Sequence, residues 1–306
     1  MTDFWSWWVA LLSIGCWLFV TGTLIFVLKM RPTLEEDGTT GHVYDGIKEY
    51  DKPMPRWWLA VFWMSIIWAV FYVVLYPSLG NWKGIATVEQ LDGTKVHWTA
   101  VNEMEADYAK NNQVFLENFE KRFAGMSILE LSDDPRALKI GQSLFRQNCA
   151  VCHGSNARGA TGFPNLTDND WLYGGKTENI SETLHKGRIA GMPAWQEKLG
   201  ESGVRAAAEY VMSISGRGNL DGALVAEGAE LFKKNCTVCH GAAGMGNQAV
   251  GAPNLTDNIW LYGGDRATIQ HTLRYGRAGV MPVFADQLGE ERIQLVAAYV
   301  YQLSKR

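Results

Sequence analysis

Cys149-Ala-Val-Cys152-His153 recurs as Cys236-Thr-Val-Cys239-His240, and this doubled C-x-x-C-H decides how the rest of the chain is read. In such a pentapeptide the two thiols add across the vinyl groups of a haem, and the His beside the second thioether becomes the proximal iron ligand. A structural zinc site would want a second ligand pair at finger-like spacing, and a redox disulfide does not require His after its second Cys. Neither alternative, nor chance, explains the repetition. Two covalently bound haem c groups are expected. Cys16, the fifth Cys, lies inside an apolar stretch and reads as a small apolar side chain.

Outward from the motif the two copies stay alike. Gly141-Gln-Ser-Leu144-Phe145 matches Gly228-Ala-Glu-Leu231-Phe232 upstream. Downstream, Pro164-Asn-Leu-Thr-Asp168 matches Pro253-Asn-Leu-Thr-Asp257, Trp171-Leu-Tyr-Gly-Gly175 matches Trp260-Leu-Tyr-Gly-Gly264, Gly187-Arg188 matches Gly276-Arg277, and Met192-Pro193 matches Met281-Pro282. The offset is 87 residues at the Cys and 89 afterwards, so the second copy has a two-residue insertion in its Gly-rich stretch. The chain holds an internal duplication.

Helical periodicity opens and closes each copy. Ser132-Asp-Asp134 offers candidate N-caps, Pro135 suits the first helical turn, and Leu138, Gly141, Leu144 and Phe145 share one face. Helices are also expected from Val204 to Ser213, from Ile293 to Leu303, and, shorter, over 179–186 and 267–275. Gly on one terminal helix permits close approach of an aromatic ring on the other. Within each copy that pairs Gly141 with Tyr210 and Gly228 with Tyr299, the crossed helices of a cytochrome c fold. No alternating strand pattern of useful length is present.

The second axial ligand separates an electron carrier from an oxygen-binding catalyst. Met192 and Met281 are the leading candidates, since each follows its His by about forty residues, precedes Pro and holds the same place in its repeat. A soft thioether favours ferrous iron, raises the reduction potential and leaves no open position. The metal set is therefore His153, Met192, His240 and Met281. Which iron each Met closes stays open: ligation within one repeat is the default, and packing the repeats face to face would exchange the two. Met245 is a rival without a duplicate. His42, His97, His185 and His271 are expected on the surface. Arg188 and Arg277 are suited to haem propionates or to solvent, and Trp171, Tyr173, Trp260 and Tyr262 to the pocket walls. No residue is expected to be catalytic.

The first eighty residues differ in kind. Residues 4–28 and 57–79 are uncharged, and much of the chain's 13 Trp falls here. Each stretch is long enough to cross a hydrocarbon core of ~30 Å, with Trp5, Trp7, Trp8, Trp57, Trp58, Tyr76 and Trp82 as interfacial belts. Met-Thr-Asp-Phe before the first span lacks the basic start of a cleaved signal, so the span is expected to be retained. Lys29, Arg31, Lys48, Lys52 and Arg56 all lie between the spans, which places the connecting loop in the cytoplasm and the N-terminus and haem domains outside it. The organisation expected is a membrane region over 1–83, a polar linker over 84–131, and cytochrome c domains over 132–216 and 217–306, all-α throughout. The formal net charge of −4 gives no basic patch for nucleic acid.

Two spans, the stretch Tyr50-Asp51-Lys52-Pro53-Met54-Pro55-Arg56-Trp57-Trp58, and tandem C-x-x-C-H domains each followed by N-L-T-D and M-P together resemble the dihaem subunit III (CcoP/FixP type) of cbb3-type cytochrome c oxidases. Lys52 departs from the Asn-like residue expected there. The resemblance implies a periplasmic entry arm in a bacterial inner membrane. It would take electrons from a soluble cytochrome c or the bc1 complex and pass them, through a monohaem subunit, to the catalytic subunit, where oxygen is reduced and protons are pumped. It also favours Met ligands exchanged between the repeats. A free-standing membrane-anchored carrier similar to cytochrome c4 is the alternative, and a dihaem peroxidase a more distant one. Companion haem b and copper would count against the first; two low-spin haems that bind no added ligand would exclude the second.

Overall fold

The computed structural model describes residues 2–30, 35–36, 38–50, 52 and 54–305. Arg31, Asp51 and Pro53, named above, lie outside the described residues. The chain separates into two units, Met1–Glu117 and Asn118–Arg306.

In the first unit, α1 (Asp3–Lys29) and α2 (Arg56–Leu75) are the two apolar helices, with no buried residue in either. Helices this long and apolar, exposed on every side, suit a bilayer or neighbouring membrane subunits rather than water. The second ends short of Leu79 because Pro77 holds Tyr76 in extended backbone, φ −113° and ψ 155°. Asn81 donates its backbone N–H to Ser6 Oγ at 2.7 Å and its side-chain amide to Asp3 at 3.2 Å, which fastens the segment after α2 to the start of α1. Two hairpins went unforeseen: β1 (Thr39–Tyr44) with β2 (Ile47–Tyr50), turning at Asp45-Gly46 with both residues at positive φ, and β3 (Thr87–Glu89) with β4 (Lys95–His97). The polar linker then becomes one helix, α3 (Ala100–Phe123).

The second unit holds both repeats. After α4 (Ile128–Leu131), closed by a Ser127/Glu130 capping box, the first repeat runs α5 (Pro135–Asn148), α6 (Ala150–His153), α7 (Thr177–Lys186), β5 (Arg188–Met192) and α8 (Gln196–Ile214). Asp134 caps α5 by accepting from the N–H groups of Arg136 and Ala137, each at 2.8 Å, with Pro135 at the first turn as its sequence required. The second repeat runs α9 (Gly222–Asn235), α10 (Thr237–His240), α11 (Arg266–Tyr275), β6 (Arg277–Met281), α12 (Ala285–Leu288) and α13 (Glu290–Leu303). Gly200 breaks α8 where Gly289 separates α12 from α13, so even the kink is duplicated.

The terminal helices do not pair within a repeat. α5 packs on α13 of the second repeat, and α9 packs on α8 of the first. The expected pairs are therefore corrected: a Cβ on Gly141 would overlap the Leu295 carbonyl and lie 2.8 Å from Tyr299 Cβ, and one on Gly228 would overlap the Ala206 carbonyl and lie 2.8 Å from Tyr210 Cβ. Both arrangements satisfy the same periodicity. The crossover between lobes is a second feature that periodicity missed: β5 and β6 form an antiparallel ribbon in which Arg188 pairs with Met281 and Met192 with Arg277. Beyond it the chain docks on the opposite lobe, Trp195 N–H on Leu273 O at 2.8 Å and Phe284 N–H on Leu184 O at 2.9 Å. Each lobe thus takes its front from one repeat and its back from the other.

Candidate functional site

Each C-x-x-C-H turn follows directly from the helix before it. Cys149 N–H bonds to Phe145 O at 2.8 Å as α5 ends; His153 N–H then bonds to Cys149 O at 3.0 Å, closing a single turn that presents Cys149, Cys152 and His153 together. The second copy repeats this, with Cys236 N–H on Phe232 O at 2.8 Å and His240 N–H on Cys236 O at 2.9 Å. None of the four thiols is in a disulfide. Burial, helped by the neighbouring Cys of each pair, pushes the Cys149 and Cys236 thiols up to about 11.

The imidazoles of His153 and His240 are buried, and burial pushes their pKa down, against an opposing pull from a backbone carbonyl. That carbonyl fixes the tautomer. His153 Nδ1 lies 3.0 Å from Pro164 O and His240 Nδ1 3.1 Å from Pro253 O; since a carbonyl only accepts, Nδ1 must carry the proton and Nε2 keeps its lone pair. A neutral, oriented ring with a free Nε2 is what an iron ligand needs. The duplicated Pro-Asn-Leu-Thr-Asp stretch is thereby explained: its Pro supplies the carbonyl, and its Asn Oδ1 accepts from the Thr two residues on, at 2.9 Å in one copy and 3.0 Å in the other.

The Met that packs with each motif's core comes from the other repeat. Met281 packs against the core that contains Phe145, Cys149, Ile180, Leu184, Ile293 and Val296, and Trp171 lies against the same core. Met192 packs with Cys236 and Trp260 against the core of Val204, Phe232, Ile269 and Leu273. Full burial of side chains such as Phe145 and Leu295 contributes about 1.5–3 kcal/mol each. Met245 is 69% exposed and packs against neither core. Gly187 and Gly276, at φ +66° and +72°, are required because the carbonyls of Met281 and Met192 sit where a side chain would stand. The donor set in each lobe, two thiols, a neutral imidazole and a thioether, fits a c-type haem iron.

A family model described as the N-terminal domain of cytochrome oxidase-cbb3, FixP, matches residues 36–83, and one described as cytochrome c oxidase, cbb3-type, subunit III, matches residues 136–211 and 223–300. The chain is 41% identical over 297 residues to the cbb3-type cytochrome c oxidase subunit CcoP of Cereibacter sphaeroides, covering 90% of this chain and 99% of that one. The chain belongs to the cbb3-type oxidase subunit III family. It is also 39% identical to the CcoP subunit of Rubrivivax gelatinosus, over 100% of this chain and 98% of that one, and 40% identical to the FixP subunit of Bradyrhizobium sp. strain ORS 278, over 87% and 94%. Family membership makes this an electron-relay subunit with cytochrome c domains that bind haem covalently, associated with the other subunits of an oxidase, and two apolar helices serve as its candidate membrane spans.

Arg188, Arg277, Tyr173 and Tyr262 were singled out from the sequence, but their pairing with one another and with a Thr was not. Arg188 Nε donates to Thr183 Oγ1 at 2.9 Å, and its guanidinium lies 4.6 Å from the Tyr173 ring centroid; Arg277 repeats this with Thr272 at 2.9 Å and Tyr262 at 4.2 Å. The shared Thr, five residues before each Arg, was the available clue. His42, His97 and His271 are exposed, whereas His185 Nε2 is 2.8 Å from Glu290 Oε2. Glu209, buried, pairs with Arg266, which also donates to Asn219 O at 2.8 Å; Ala298 and Thr177 stand at the equivalent positions of the other lobe.

Proposed function

We propose that the relay runs through two haem c groups. One is held by Cys149 and Cys152, with His153 and Met281 on its iron; the other by Cys236 and Cys239, with His240 and Met192. Bound haem supplies a one-electron Fe(III)/Fe(II) couple that side chains lack. The polypeptide anchors the ring through thioethers, holds each imidazole neutral against a Pro carbonyl, and sets a soft sulfur on the far side. With both axial positions filled by side chains, the subunit passes electrons and leaves oxygen to its catalytic partner.

The observation that carries this reading is the composition of the two cores: Met281 packs with the first motif and Met192 with the second. Electrons enter from a soluble cytochrome c or the bc1 complex and leave through the monohaem subunit. The basic residues Lys29, Lys48, Lys52 and Arg56 keep the loop between the spans in the cytoplasm, so the N-terminus and both lobes face the periplasm and lipid surrounds the spans. The fastening of Asn81 to Asp3 and Ser6 supports one side for both. By sequence the domains are 132–216 and 217–306, and their back halves are exchanged in the fold. A free-standing carrier like cytochrome c4 is disfavoured by likeness to oxidase subunits over nearly the whole chain.

Detergent purification of the full chain with its companions tests the proposal. Two haem c on this polypeptide are expected from its mass after denaturing separation from the companions, since thioether-linked haem stays with the chain that holds it. With Cys236→Ser and Cys239→Ser leaving only the first haem, Met281→Ala should abolish the sulfur-to-iron charge-transfer band and Met192→Ala should keep it. The reverse result overturns the exchange, and a single haem per chain in the wild type overturns the count.

A further inference from the structure

Arg217 follows the end of α8, and its backbone N–H is tied to Met212 O at 2.9 Å. Its guanidinium lies 5.2 Å from the Trp260 ring centroid, and Nη2 donates to the backbone carbonyl and to Oδ1 of Asn258, each at 3.2 Å. Trp260 packs against the same core as Cys236, Met192 and Leu255, so the arginine stands against a wall of the second lobe's site. Gly264 makes the room, since a Cβ there would lie 2.6 Å from Arg217 Nη1 and 2.7 Å from the Trp260 ring.

Two features of this arginine are not met by the polypeptide. Nε is buried and has no acceptor. Among the described residues no carboxylate pairs with the guanidinium, in contrast to Arg188, Arg266 and Arg274. A buried donor without a partner and a partly buried cation without a counter-charge are both costly, and one anion beside Nε would relieve both. Arg188 and Arg277 differ here, because their Nε groups already donate to Thr183 and Thr272. The sequence repeats the feature: Arg306, which lies outside the described residues, follows Arg217 by 89 residues, the same offset that relates Trp260 to Trp171.

We propose that Arg217 binds a propionate of the haem attached at Cys236 and Cys239, with Nε as a donor. Haem brings two carboxylates to its pocket besides the iron, and a guanidinium is the side chain whose donors match a carboxylate best. Reduction adds one negative charge to the haem, so a cation held on its propionate favours the ferrous form. Arg217 thereby both seats the ring and raises the potential of the second site.

The inference rests on the two-haem reading, and the test separates the two. In the purified complex, resonance Raman spectroscopy reads the bending mode of the haem propionates, and potentiometric titration reads the c-type midpoints. Arg217→Gln should shift a propionate band and lower one midpoint of this subunit. Arg217→Lys, which keeps the charge without the planar set of donors, should shift the band and lower the midpoint less. With Cys149→Ser and Cys152→Ser leaving only the second haem, Arg217→Gln should still produce both changes; with Cys236→Ser and Cys239→Ser leaving only the first, it should produce neither. An unmoved propionate band with haem retained, or equal changes at the first haem, overturns the inference and leaves the haem count standing. A wild-type chain whose mass accounts for fewer than two haems overturns the two-haem reading instead.

Discussion

Gly141 on α5 lies against Tyr299 on α13, the last helix of the other repeat, and Leu295 O occupies the space a methyl group at Gly141 would need. The same contact joins Gly228 to Tyr210. Each lobe is therefore closed by a helix from the opposite half of the sequence, and the duplication folds as one interlocked body.

Gly141→Ala and Gly228→Ala should each destabilise the soluble region by about 2–3 kcal/mol, because the added carbon meets backbone that cannot move aside. Thermal unfolding of the holoprotein measures the loss. A double-mutant cycle should give coupling between positions 141 and 299 and additivity between 141 and 210; coupling between 141 and 210 would contradict the exchange.

A chain ended at Ser215 should fail to form a native first lobe. It keeps Phe145, Ile180 and Leu184 but loses Ile293, Val296, Ala297 and Val300, which complete that core. The expected result is a protease-sensitive, weakly cooperative fragment by circular dichroism. A compact, cooperatively unfolding fragment would show that one repeat suffices.

His185 and Glu290 tie α7 to α13, and Arg274, a permanent cation, donates to Glu201 to make the corresponding tie in the other lobe. Glu290 raises the His185 pKa, and His185 helps lower that of Glu290 after its first cause, the hydrogen bond from Gln294. A raised imidazole pKa contributes stability below its unfolded value, and that contribution is lost as pH rises through the folded value; the lowered carboxylate pKa loses its share as pH falls through the folded value. Glu290→Gln should therefore cost up to about 1 kcal/mol near pH 6 and little at about pH 9. Glu201→Gln should show no such difference between the two pH values, because its partner Arg274 stays charged at both. Unfolding midpoints at the two pH values decide it.

Glu209→Ala should destabilise the second lobe by about 2–3 kcal/mol, since it strips a buried carboxylate from Arg266 and from the Asp221 N–H, 3.4 Å away. The cost sits at the lower end of what breaking a buried pair brings, because Arg266 is 45% exposed and reaches water. Denaturant unfolding with the haem signal as probe measures the effect, and a loss under about 0.5 kcal/mol would contradict it.

Much of the subunit was legible from local chemistry. The paired C-x-x-C-H motifs, the Asp134 cap with Pro135, the apolar spans and the duplicated Pro-Asn-Leu-Thr-Asp stretches each depend on neighbours within a turn or a hydrophobic run. The hairpin at Asp45-Gly46 had a recognisable turn pair but weak flanking alternation. The ribbon strands Arg188–Met192 and Arg277–Met281 are five residues each, too short and too rich in Gly and Ala for period-two patterning to announce them.

The order of residues alone determined that there are two equivalent C-x-x-C-H motifs, two apolar helices and two Met-Pro loops, because motif spacing, helix periodicity and membrane length are properties of short segments. Which core each Met packs against, and which Tyr covers which Gly, was decided only by the folded chain. The repeats carry identical residues at those positions, so local preference is the same for either partner, and the choice falls to the long-range backbone hydrogen bonds of the β5–β6 ribbon and to the docking of Trp195 and Phe284 on the opposite lobe.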